Sequence, residues 1–362
     1  MARNTPVGKD FGPVASSDSK FDIAIVMPTL NEAKFIGKTL EQVYMQDYPM
    51  DVVEVVVADG GSTDGTREIV QSFKNRFGSL QLLDNHPRLP SSGRNIGVRN
   101  SSAPYILILD GHTTLPGKTL LQDMVDIFKK TGAKCLCRPQ PLTPPDLGEF
   151  EKSVALCRAS IFGHKPGSEI YSAVEGVVDP TSSGAMYHRS VFDEIGYFDE
   201  AFDVYEDVDF NYRVHQAGIK AYISPRLRVL YYPRSSLAGL WRQMVRYGKG
   251  QFRFSHKHRL FSPVQWLAGA GVAGFVLLGL LSLVSSGAVS LLKTGVGVYL
   301  LMTVFFSAYL AHKENHTGCL LFGPLIFPTI HFGLGFGFLS GLWDHYVKQH
   351  RPKPPNVDFD LT

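Results

Sequence analysis

The chain has 362 residues, of which 36 are Lys or Arg and 33 are Asp or Glu, for a formal net charge of +3. Charged residues make up 19%, below the ~25% of an average soluble domain, and hydrophobic residues make up 44%. The last 99 residues contain only five basic and four acidic side chains. This distribution predicts a soluble domain of about 230 residues followed by a membrane-embedded tail. It argues against a disordered chain, a disulfide-stapled mini-protein and a nucleic-acid-binding basic domain.

The beginning of the chain and its cysteines add little chemistry. Residues 1–20 contain no apolar core, so they predict a flexible leader rather than a cleavable signal peptide. The four cysteines, Cys135, Cys137, Cys157 and Cys319, are too few and too scattered for a disulfide framework. Cys135 and Cys137 share one face of a predicted strand, which favours buried reduced thiols, with zinc binding as the alternative.

From residue 21 onward, short β-rich apolar runs alternate with amphipathic stretches. This alternation predicts a mostly parallel, three-layer α/β sheet. The predicted elements are strands over 21–28, 52–59, 80–83 and 105–110, and helices from residue 31, over 66–76 and after residue 91.

Three of these strands are followed by polar or acidic residues. The first ends at Thr29, the second at Asp59, and the last at Asp110, two residues before His112. In parallel sheets, ligands bind at the carboxyl ends of strands, and small residues near a turn let the backbone approach a phosphate. The sequence therefore predicts a ligand site at this edge of the sheet, with structural turn chemistry as the alternative.

Five motifs follow one another along residues 21–255, namely PTLNE, ADGGSTDGT, SSGRNIGVRNSSAPYILILDGH, TSSGAMYHRSVFDEIGYFDEAF and YEDVDFNYRVHQAG. Their order resembles that of family 2 glycosyltransferases, and the last two are typical of the half that holds the acceptor. Together with the apolar C-terminal stretches, the chain resembles the membrane-attached, succinoglycan-type exopolysaccharide glycosyltransferases. The resemblance implies the nucleotide-sugar-binding, Rossmann-like mixed α/β fold called GT-A, with C-terminal transmembrane helices, and inversion at the anomeric centre.

The resemblance also implies roles for residues that match the family's donor motifs. Pro28, Thr29 and Glu32 would line the uridine pocket, and Glu32 would begin the helix after the first strand. Asp59 would read the edge of the uracil ring. Arg94, in the SGRNIG segment, would lie near the base or the diphosphate.

At the family's Asp-x-Asp position this chain has Asp110 and His112. Asp110 is implied to hold the ribose and a divalent cation, Mg²⁺ or Mn²⁺. His112, which replaces the second Asp, could act as a metal ligand, could hydrogen-bond the diphosphate, or could be a turn residue without a role. The metal-ligand interpretation is favoured because a membrane-anchored subset of the family resembles this chain in carrying His here.

Glu206-Asp207 matches the family's Glu-Asp motif, whose Asp is the general base. A sugar hydroxyl is a weak nucleophile at neutral pH, so a positioned carboxylate must take its proton. Asp207 is the predicted base, while Glu206, Ser183 and Gly184 are predicted to face the acceptor or the diphosphate. A hard cation and an Arg would stabilise the leaving UDP. His188, in the same motif as Ser183, is a weaker candidate for a direct role.

Further along, Gln243, Arg246 and Tyr247 resemble the Gln-x-x-Arg-Trp element of processive synthases and are predicted to face the acceptor or the diphosphate. Tyr247 in place of Trp, together with too few spans for a polymer channel, favours single-sugar addition over processive synthesis. Asp209 and Arg213 lie one helical turn apart, which predicts an ion pair.

Residues 221–263 contain nine Lys or Arg and no Asp or Glu, interleaved with apolar residues. This pattern predicts a helix on the surface of an anionic leaflet over 237–260, the alternative being an ordinary solvated face. Three uncharged stretches follow, over 264–292, 294–311 and 317–343, each long enough to cross a bilayer. The basic block predicts a multi-pass protein of the inner or plasma membrane with a cytoplasmic catalytic domain. Pro324, Pro328 and His331 make the third stretch a candidate re-entrant segment.

The predicted domains are a leader over 1–20, the GT-A catalytic domain over 21–235, a basic amphipathic segment over 236–263, about three transmembrane segments over 264–343 and a polar tail over 344–362. The predicted activity is metal-dependent, inverting transfer of one sugar from a UDP-sugar to a membrane, glycan or lipid-linked acceptor. Predicted partners are the nucleotide sugar, the acceptor, membrane lipids and other polysaccharide-assembly enzymes, but no nucleic acid. The alternatives are a sugar nucleotidyltransferase, which would need a Gly-rich signature that PTLNE lacks, and a non-catalytic membrane scaffold or small transporter.

Overall fold

A computed structural model describes residues 19–164, 169–260 and 263–347, which divide into two compact units. The first unit contains residues 19–144 and 169–232, and the second contains 145–164, 233–260 and 263–347. The predictions of a leader and a polar tail fall almost entirely outside the described residues.

The first unit is built on an eight-stranded mixed sheet. Its strands are β1 Ile23–Thr29, β2 Val53–Asp59, β3 Ser79–Asp84, β4 Tyr105–Ile108, β6 Cys135–Cys137, β7 Gly176–Val178, β8 Gly184–His188 and β9 Ala221–Ile223, in the order β3-β2-β1-β4-β8-β6-β9-β7. A separate antiparallel pair joins β5 Thr113–Thr114 to β10 Leu230–Tyr231. The predicted strands all form, each within a few residues of the predicted bounds.

The strand directions bring many chain segments to one edge of the sheet. β3, β2, β1 and β4 run parallel, whereas β8 runs antiparallel to both β4 and β6, and β6 is parallel to β9. The carboxyl ends of β1, β2, β4 and β6 therefore share an edge with the amino end of β8. That edge is where a parallel sheet places its ligand site.

Helices of the first unit are α1 Ile36–Tyr44, α2 Thr66–Ser72, α3 Pro90–Arg99, α4 Leu120–Thr131, α6 Ser190–Ile195 and α7 Glu206–Gln216; α5 Glu149–Ala159 belongs to the second unit. Buried residues form a core on each face of the sheet, and in β1 Ile23 and Ile25 pack into one core while Ala24 and Val26 pack into the other. Such two-sided burial explains the continuous apolar runs of the strands and gives the three layers that the sequence predicts.

The helix predicted from Asn31 begins later, at Ile36, so Glu32 precedes it. Asn31 adopts a left-handed conformation with φ of 54°, and its side chain accepts a hydrogen bond from the Thr63 backbone at 3.0 Å. Asn tolerates this conformation better than most residues, and the cross-link holds the segment as a turn. The helix predicted from this spacing is confirmed, but it begins about one turn later than predicted.

The second unit contains α5 and four further helices, α8 Leu237–Lys257, α9 Pro263–Leu281, α10 Ser286–Lys313 and α11 Gly318–Tyr346. Two of its described helices, α10 and α11, are long and apolar enough to cross a bilayer, and a shorter apolar helix covers Trp266–Leu281. The turn between α9 and α10 falls inside the first uncharged stretch, at 282–285, where the Ser285 hydroxyl accepts from Ala288 N. This N-cap, rather than Lys293, separates the two helices.

The basic amphipathic stretch forms α8, as its spacing predicts. Leu240 and Met244 on its apolar face are buried in the core of the second unit with Phe327 and Ile330 of α11. A Cβ added to Gly333 of α11 would lie 2.7 Å from Met244 Cβ, so this glycine lets the two helices approach closely. Much of the apolar face of α8 is therefore covered by protein.

Candidate active site

A small pocket opens at the shared edge of the sheet in the first unit. It is lined by Arg94, Ile108, Asp110, Arg138, Gln140, Gly184, Ala185, Tyr187, Phe198, Asp207 and Tyr231. Four predicted site residues are among them, namely Arg94, Asp110, Gly184 and Asp207. Segments more than a hundred residues apart in the chain thus meet at the site that the strand ends predict.

Asp110 follows β4, and its side chain is 24% exposed. The Tyr231 hydroxyl donates to its Oδ2 at 2.7 Å, and Arg94 Nη2 lies 3.8 Å from its Oδ1. Burial by itself would raise the pKa of Asp110, but the positive charge of Arg94, helped by His112, Arg138 and the Tyr231 hydrogen bond, leaves it below the ordinary value. The carboxylate is therefore ionised at neutral pH.

Arg94 reaches the pocket because α3 packs closely on β1. A Cβ added to Gly93 would lie 2.8 Å from Pro28 Cβ, so only glycine allows this approach. The Arg94 guanidinium is buried, and its Nη1 lies 2.8 Å from Glu206 Oε1. Burial alone would lower the pKa of Arg94, yet Glu206, Asp110 and Asp207 together raise it above the ordinary value. The charge of Arg94 is thus balanced by protein carboxylates.

Glu206 and Asp207 form the first turn of α7 but differ in environment. Glu206 is buried, and burial, opposed by Arg94 and assisted by Asp207, raises its pKa to about 7. Asp207 is exposed at the pocket, and its Oδ1 accepts from the Val208 backbone at 2.8 Å. The helix thereby presents one exposed carboxylate beside a buried one. The predicted ion pair between Asp209 and Arg213 is confirmed, at 3.0 Å.

His112 is held between Glu32 and Tyr231. Its Nδ1 lies 2.8 Å from Glu32 Oε1, and its ring lies edge-on to the Tyr231 ring at 6.0 Å between centroids. The Glu32 carboxylate is buried, and its own backbone N–H donates to the Thr66 hydroxyl at 2.8 Å. A buried carboxylate that fixes one imidazole nitrogen orients the other, which is the usual second shell of a metal-ligating histidine.

Asp59 ends β2 and is fully buried. Its Oδ2 accepts from the backbones of Gly61 and Ser62, each at 3.0 Å, and from Arg67 Nη1 at 2.9 Å. Its Oδ1 accepts from the hydroxyls of Ser62 and Thr29. Burial would raise the pKa of Asp59, but the hydrogen bonds from Ser62, Arg67 and Gly61 leave it below the ordinary value. The carboxylate thus organises the turn that follows β2, and its contact with a base stays a prediction.

The remaining predicted residues lie in three places. Ser183 is buried beside Gly184 at the start of β8, whereas His188 ends the same strand at the opposite edge of the sheet. Gln243, Arg246 and Tyr247 lie on α8 in the second unit, where Gln243 Oε1 accepts from Arg158 Nη1 at 3.2 Å. All four cysteines are buried thiols, and Cys135 and Cys137 form the predicted strand.

Arg138 and Tyr231 are among the pocket residues that the predicted site does not include. Arg138 is buried directly after β6, and its Nη2 donates to the Tyr231 hydroxyl at 2.7 Å. A signal for Arg138 exists in the sequence, since a charged residue directly after a buried strand is what identified Asp59 and Asp110. Tyr231 has no such local signal, because the β5–β10 pair alone brings it to the site.

Residues 24–196 match the protein-family model described as "Glycosyl transferase family 2". These residues form a family 2 glycosyltransferase domain. The chain is 29% identical over 325 residues to the "Succinoglycan biosynthesis protein ExoA" of Rhizobium meliloti (strain 1021), covering 88% of this chain and 94% of that protein. Both the family and the succinoglycan-type resemblance predicted from the motifs are confirmed.

Two further proteins place this domain among its relatives. A Methanococcus voltae protein named dolichyl N-acetyl-alpha-D-glucosaminyl phosphate 3-beta-D-2,3-diacetamido-2,3-dideoxy-beta-D-glucuronosyltransferase is 26% identical over 330 residues, covering 88% of this chain and 97% of its own. The mannosyltransferase PcManGT of Pyrobaculum calidifontis, solved with GDP-Man and Mn²⁺, has a TM-score of 0.59 at 19% identity, covering 93% and 91% of the two chains. The glycosyltransferase domain therefore has the predicted GT-A fold.

Proposed function

We propose that this glycosyltransferase moves one sugar from a UDP-sugar to a membrane or lipid-linked glycan acceptor, with inversion at the anomeric carbon. The observation that carries the proposal is the pocket in which ionised Asp110, exposed Asp207 and two buried arginines meet. The arginines supply positive charge for a diphosphate, and Asp207 supplies a base for a hydroxyl. Relatives with exopolysaccharide names support a glycan as the product.

For the donor we propose that the nucleotide lies along the ends of β1 and β2. Pro28 and Thr29 end β1, and the Asp59 turn, whose shape is fixed by its internal hydrogen bonds, lies beside them. The base would pack there, the ribose and diphosphate would extend toward Asp110, and the sugar would enter the pocket. The mannosyltransferase structure named above contains a nucleotide sugar of the same class, and the motif resemblance selects uridine as the base.

The residues at the edge of β4 fit a divalent cation, Mg²⁺ or Mn²⁺. Among residues 19–164, 169–260 and 263–347 no group of three or more His, Cys, Asp or Glu side chains could hold a metal ion without the substrate. Cations bound together with phosphates, however, need only one or two protein carboxylates. Asp110 is ionised, and His112 is oriented by Glu32, so we propose that these two residues hold the ion together with the diphosphate. When bound, the cation would neutralise charge on the leaving group.

We propose that Asp207 acts as the general base in a single displacement. Its carboxylate takes the proton of an acceptor hydroxyl, whose oxygen bonds to the anomeric carbon as the bond from that carbon to the phosphate oxygen breaks. Attack from the face opposite the leaving group inverts the configuration. Arg94 holds Glu206 beside Asp207 and keeps the first turn of α7 at the pocket, which places the base.

For the acceptor we propose a lipid-linked glycan. Helices α10 and α11 are apolar and long enough to cross a bilayer, which supports a membrane site. We propose a multi-pass arrangement in the inner or plasma membrane with the catalytic domain in the cytoplasm, since the basic residues of α8 precede the apolar helices. Gln243, Arg246 and Tyr247 on α8 would contact the acceptor or the diphosphate, and the Tyr at the third position fits addition of a single sugar.

The test is UDP release by the purified full chain in detergent, with a panel of UDP-sugars and with GDP-sugars as the base control. Reactions are run with and without a membrane lipid extract. We expect UDP release with one UDP-sugar that depends on both the extract and a divalent cation, together with a sugar-labelled lipid. Absence of any nucleoside diphosphate release, or a sugar nucleotide as the product, would contradict the proposal.

A further inference from the structure

The buried guanidinium of Arg138 is only partly satisfied by the protein. The residue is 2% exposed, and Nη2 donates to the Tyr231 hydroxyl at 2.7 Å. Its Nε and Nη1 are buried without a hydrogen-bond partner in the part of the chain that the structure describes. Because a guanidinium carries five N–H donors, a buried one with so few acceptors is costly.

Arg94, the other arginine of the pocket, also has a buried Nε and Nη1 without a hydrogen-bond partner among the described residues, but it differs from Arg138 in its charged neighbours. Arg94 lies 2.8 Å from Glu206 and 3.8 Å from Asp110, so two carboxylates balance its charge. No described carboxylate forms an ion pair with Arg138, whose link to Asp110 passes through the Tyr231 hydroxyl. The pocket therefore contains one arginine that lies against carboxylates and one that has none within ion-pair distance among the described residues.

An irregularity in the sheet and a backbone hydrogen bond fix the position of Arg138 at the pocket. The register between β6 and β8 shifts at Leu136 and Cys137, directly before this residue, and Arg138 N donates to Ser183 O at 3.1 Å. Such irregularities commonly re-aim a side chain next to an active site. The Tyr231 hydroxyl donates to Asp110 Oδ2 and accepts from Arg138 Nη2, each at 2.7 Å, so it links the two side chains.

We infer that Arg138 binds the donor's diphosphate through Nε–H and Nη1–H, and that Tyr231 fixes it beside the carboxylate of Asp110. These two N–H groups lie on different edges of the guanidinium, so each can donate to a separate oxygen of the diphosphate, and the ligand supplies the negative charge that no carboxylate in contact with Arg138 supplies. As the bond from the sugar to the phosphate breaks, charge develops on the oxygen that leaves, so Arg138 stabilises that product. The inference rests on the proposed function, because it takes the pocket as the diphosphate site.

The test compares binding of UDP, inorganic pyrophosphate and uridine to the full chain in detergent, by calorimetry, for wild type and Arg138→Gln. Removal of a charge-assisted hydrogen bond is expected to weaken UDP and pyrophosphate binding by about tenfold to a hundredfold while uridine binding stays unchanged. Arg138→Lys, which keeps the charge but cannot reproduce the separate N–H directions of the guanidinium, should fall between the two. The ligand-free melting temperature of Arg138→Gln should not fall, because the substitution removes a buried charge without a carboxylate partner.

Arg189→Gln is the matched control. Arg189 is also partly buried, but it donates to the carbonyls of Ala103 and Val98 and follows β8 at the opposite edge of the sheet. Its substitution should lower the melting temperature and leave the ratio of UDP to uridine affinity unchanged.

Three results would overturn the inference. Unchanged UDP and pyrophosphate affinity in Arg138→Gln would assign Arg138 another role, and a higher KM for the lipid acceptor in that variant would point to an acceptor phosphate instead. A lower melting temperature with an unchanged affinity ratio would make Arg138 structural. Wild type that binds neither UDP nor pyrophosphate would overturn this inference together with the proposed function, whereas the first two results leave that function intact.

Discussion

The charged residues at the ends of β2 and β6 occupy similar positions in the sheet but differ in how fully the protein satisfies their hydrogen bonds. Asp59 and Arg138 each stand at the end of a buried strand on the same edge of the sheet. Asp59 accepts hydrogen bonds from its own turn, Arg67 and Thr29, whereas two N–H groups of Arg138 have no acceptor in the described protein. The turn after β2 is thus complete within the protein, whereas the segment after β6 presents groups that a ligand can complete.

The comparison shows how the fold separates stability from chemistry. A buried carboxylate with all its lone pairs occupied is inert and holds a loop in shape. A buried cation with unpaired N–H donors lowers the stability of the ligand-free protein, and the same donors are available to bind an anion. Asp110 is intermediate between these two cases. Its carboxylate accepts a hydrogen bond from Tyr231 and lies 3.8 Å from Arg94, and 24% of its side chain is exposed to solvent.

The largest effect should come from Asp207→Asn, because Asp207 is exposed and positioned by one backbone N–H of α7. We expect loss of transfer by about a hundredfold or more, with UDP affinity within a few-fold of wild type, because a base acts on the acceptor proton and contributes little to donor binding. Single-turnover transfer and UDP calorimetry on the same preparation provide the two measurements. Asp209→Asn is the control, as Asp209 is buried and paired with Arg213; transfer retained by Asp207→Asn would move the base elsewhere.

The next largest effect concerns His112, which we propose holds the divalent cation together with Asp110. His112→Ala should lose most of the activity, and His112→Asp should recover much of it, since either side chain can ligate a divalent cation. The preference for Mn²⁺ over Mg²⁺ should be larger in wild type than in His112→Asp, because imidazole suits the softer ion. Activity against metal concentration for the three proteins measures this. Full activity of His112→Ala at every concentration would leave the residue as part of the turn.

Local sequence patterns predicted the scaffold because its strands and first helices depend on near neighbours. The continuous apolar runs and the residues after them located β1, β2 and β4 and the edge where they end. Arg138 directly follows β6 and obeys the same rule, although the predicted site does not include it. The α1 start was misplaced because Asn31 contacts Thr63, a residue that the helical spacing does not include.

Contacts across long separations could not be predicted from one sequence. Tyr231 reaches Asp110 over 121 positions, and Arg94 reaches Glu206 because α7 packs against α3. The assignment of α5 to the second unit likewise depends on tertiary packing, since its residues Val154 and Cys157 join the core around α11. A local pattern reports burial of a segment and gives no information about which partner covers it.

Asp59→Asn tests the turn after β2, whose hydrogen bonds are complete within the protein, and should lower the free energy of unfolding. Asn keeps one acceptor oxygen but has an NH₂ donor in place of the other, so it cannot accept all the hydrogen bonds that the carboxylate accepts from Gly61, Ser62 and their neighbours, and it breaks the ion pair with Arg67. Because Arg67 is a third exposed, we expect about 1–3 kcal/mol of lost stability, mainly from the backbone donors. Thermal unfolding of the full chain measures it, with Asp84→Asn as control, since Asp84 pairs with the same Arg67 but is 59% exposed. An unchanged melting temperature with lost uridine affinity would instead support the reading of uracil by Asp59.

The smallest effect is a change in the pH dependence of stability in Glu206→Gln. Burial raises the pKa of Glu206 from 4.5 to about 7, so between these values the folded chain holds a proton that the unfolded chain has released. Stability contributed by this group is therefore present at low pH and falls as pH rises from about 4.5 to 7. Gln cannot titrate, so the difference in melting temperature between the two proteins should change across pH 5–8, in favour of Glu206→Gln at the higher values. Glu194→Gln, at a 44% exposed side chain paired with Lys134, should show no such change. Parallel curves of melting temperature against pH for wild type and Glu206→Gln would mean that Arg94 keeps Glu206 ionised throughout. The pair of Arg94 and Glu206 would then be a permanent ion pair of the folded protein.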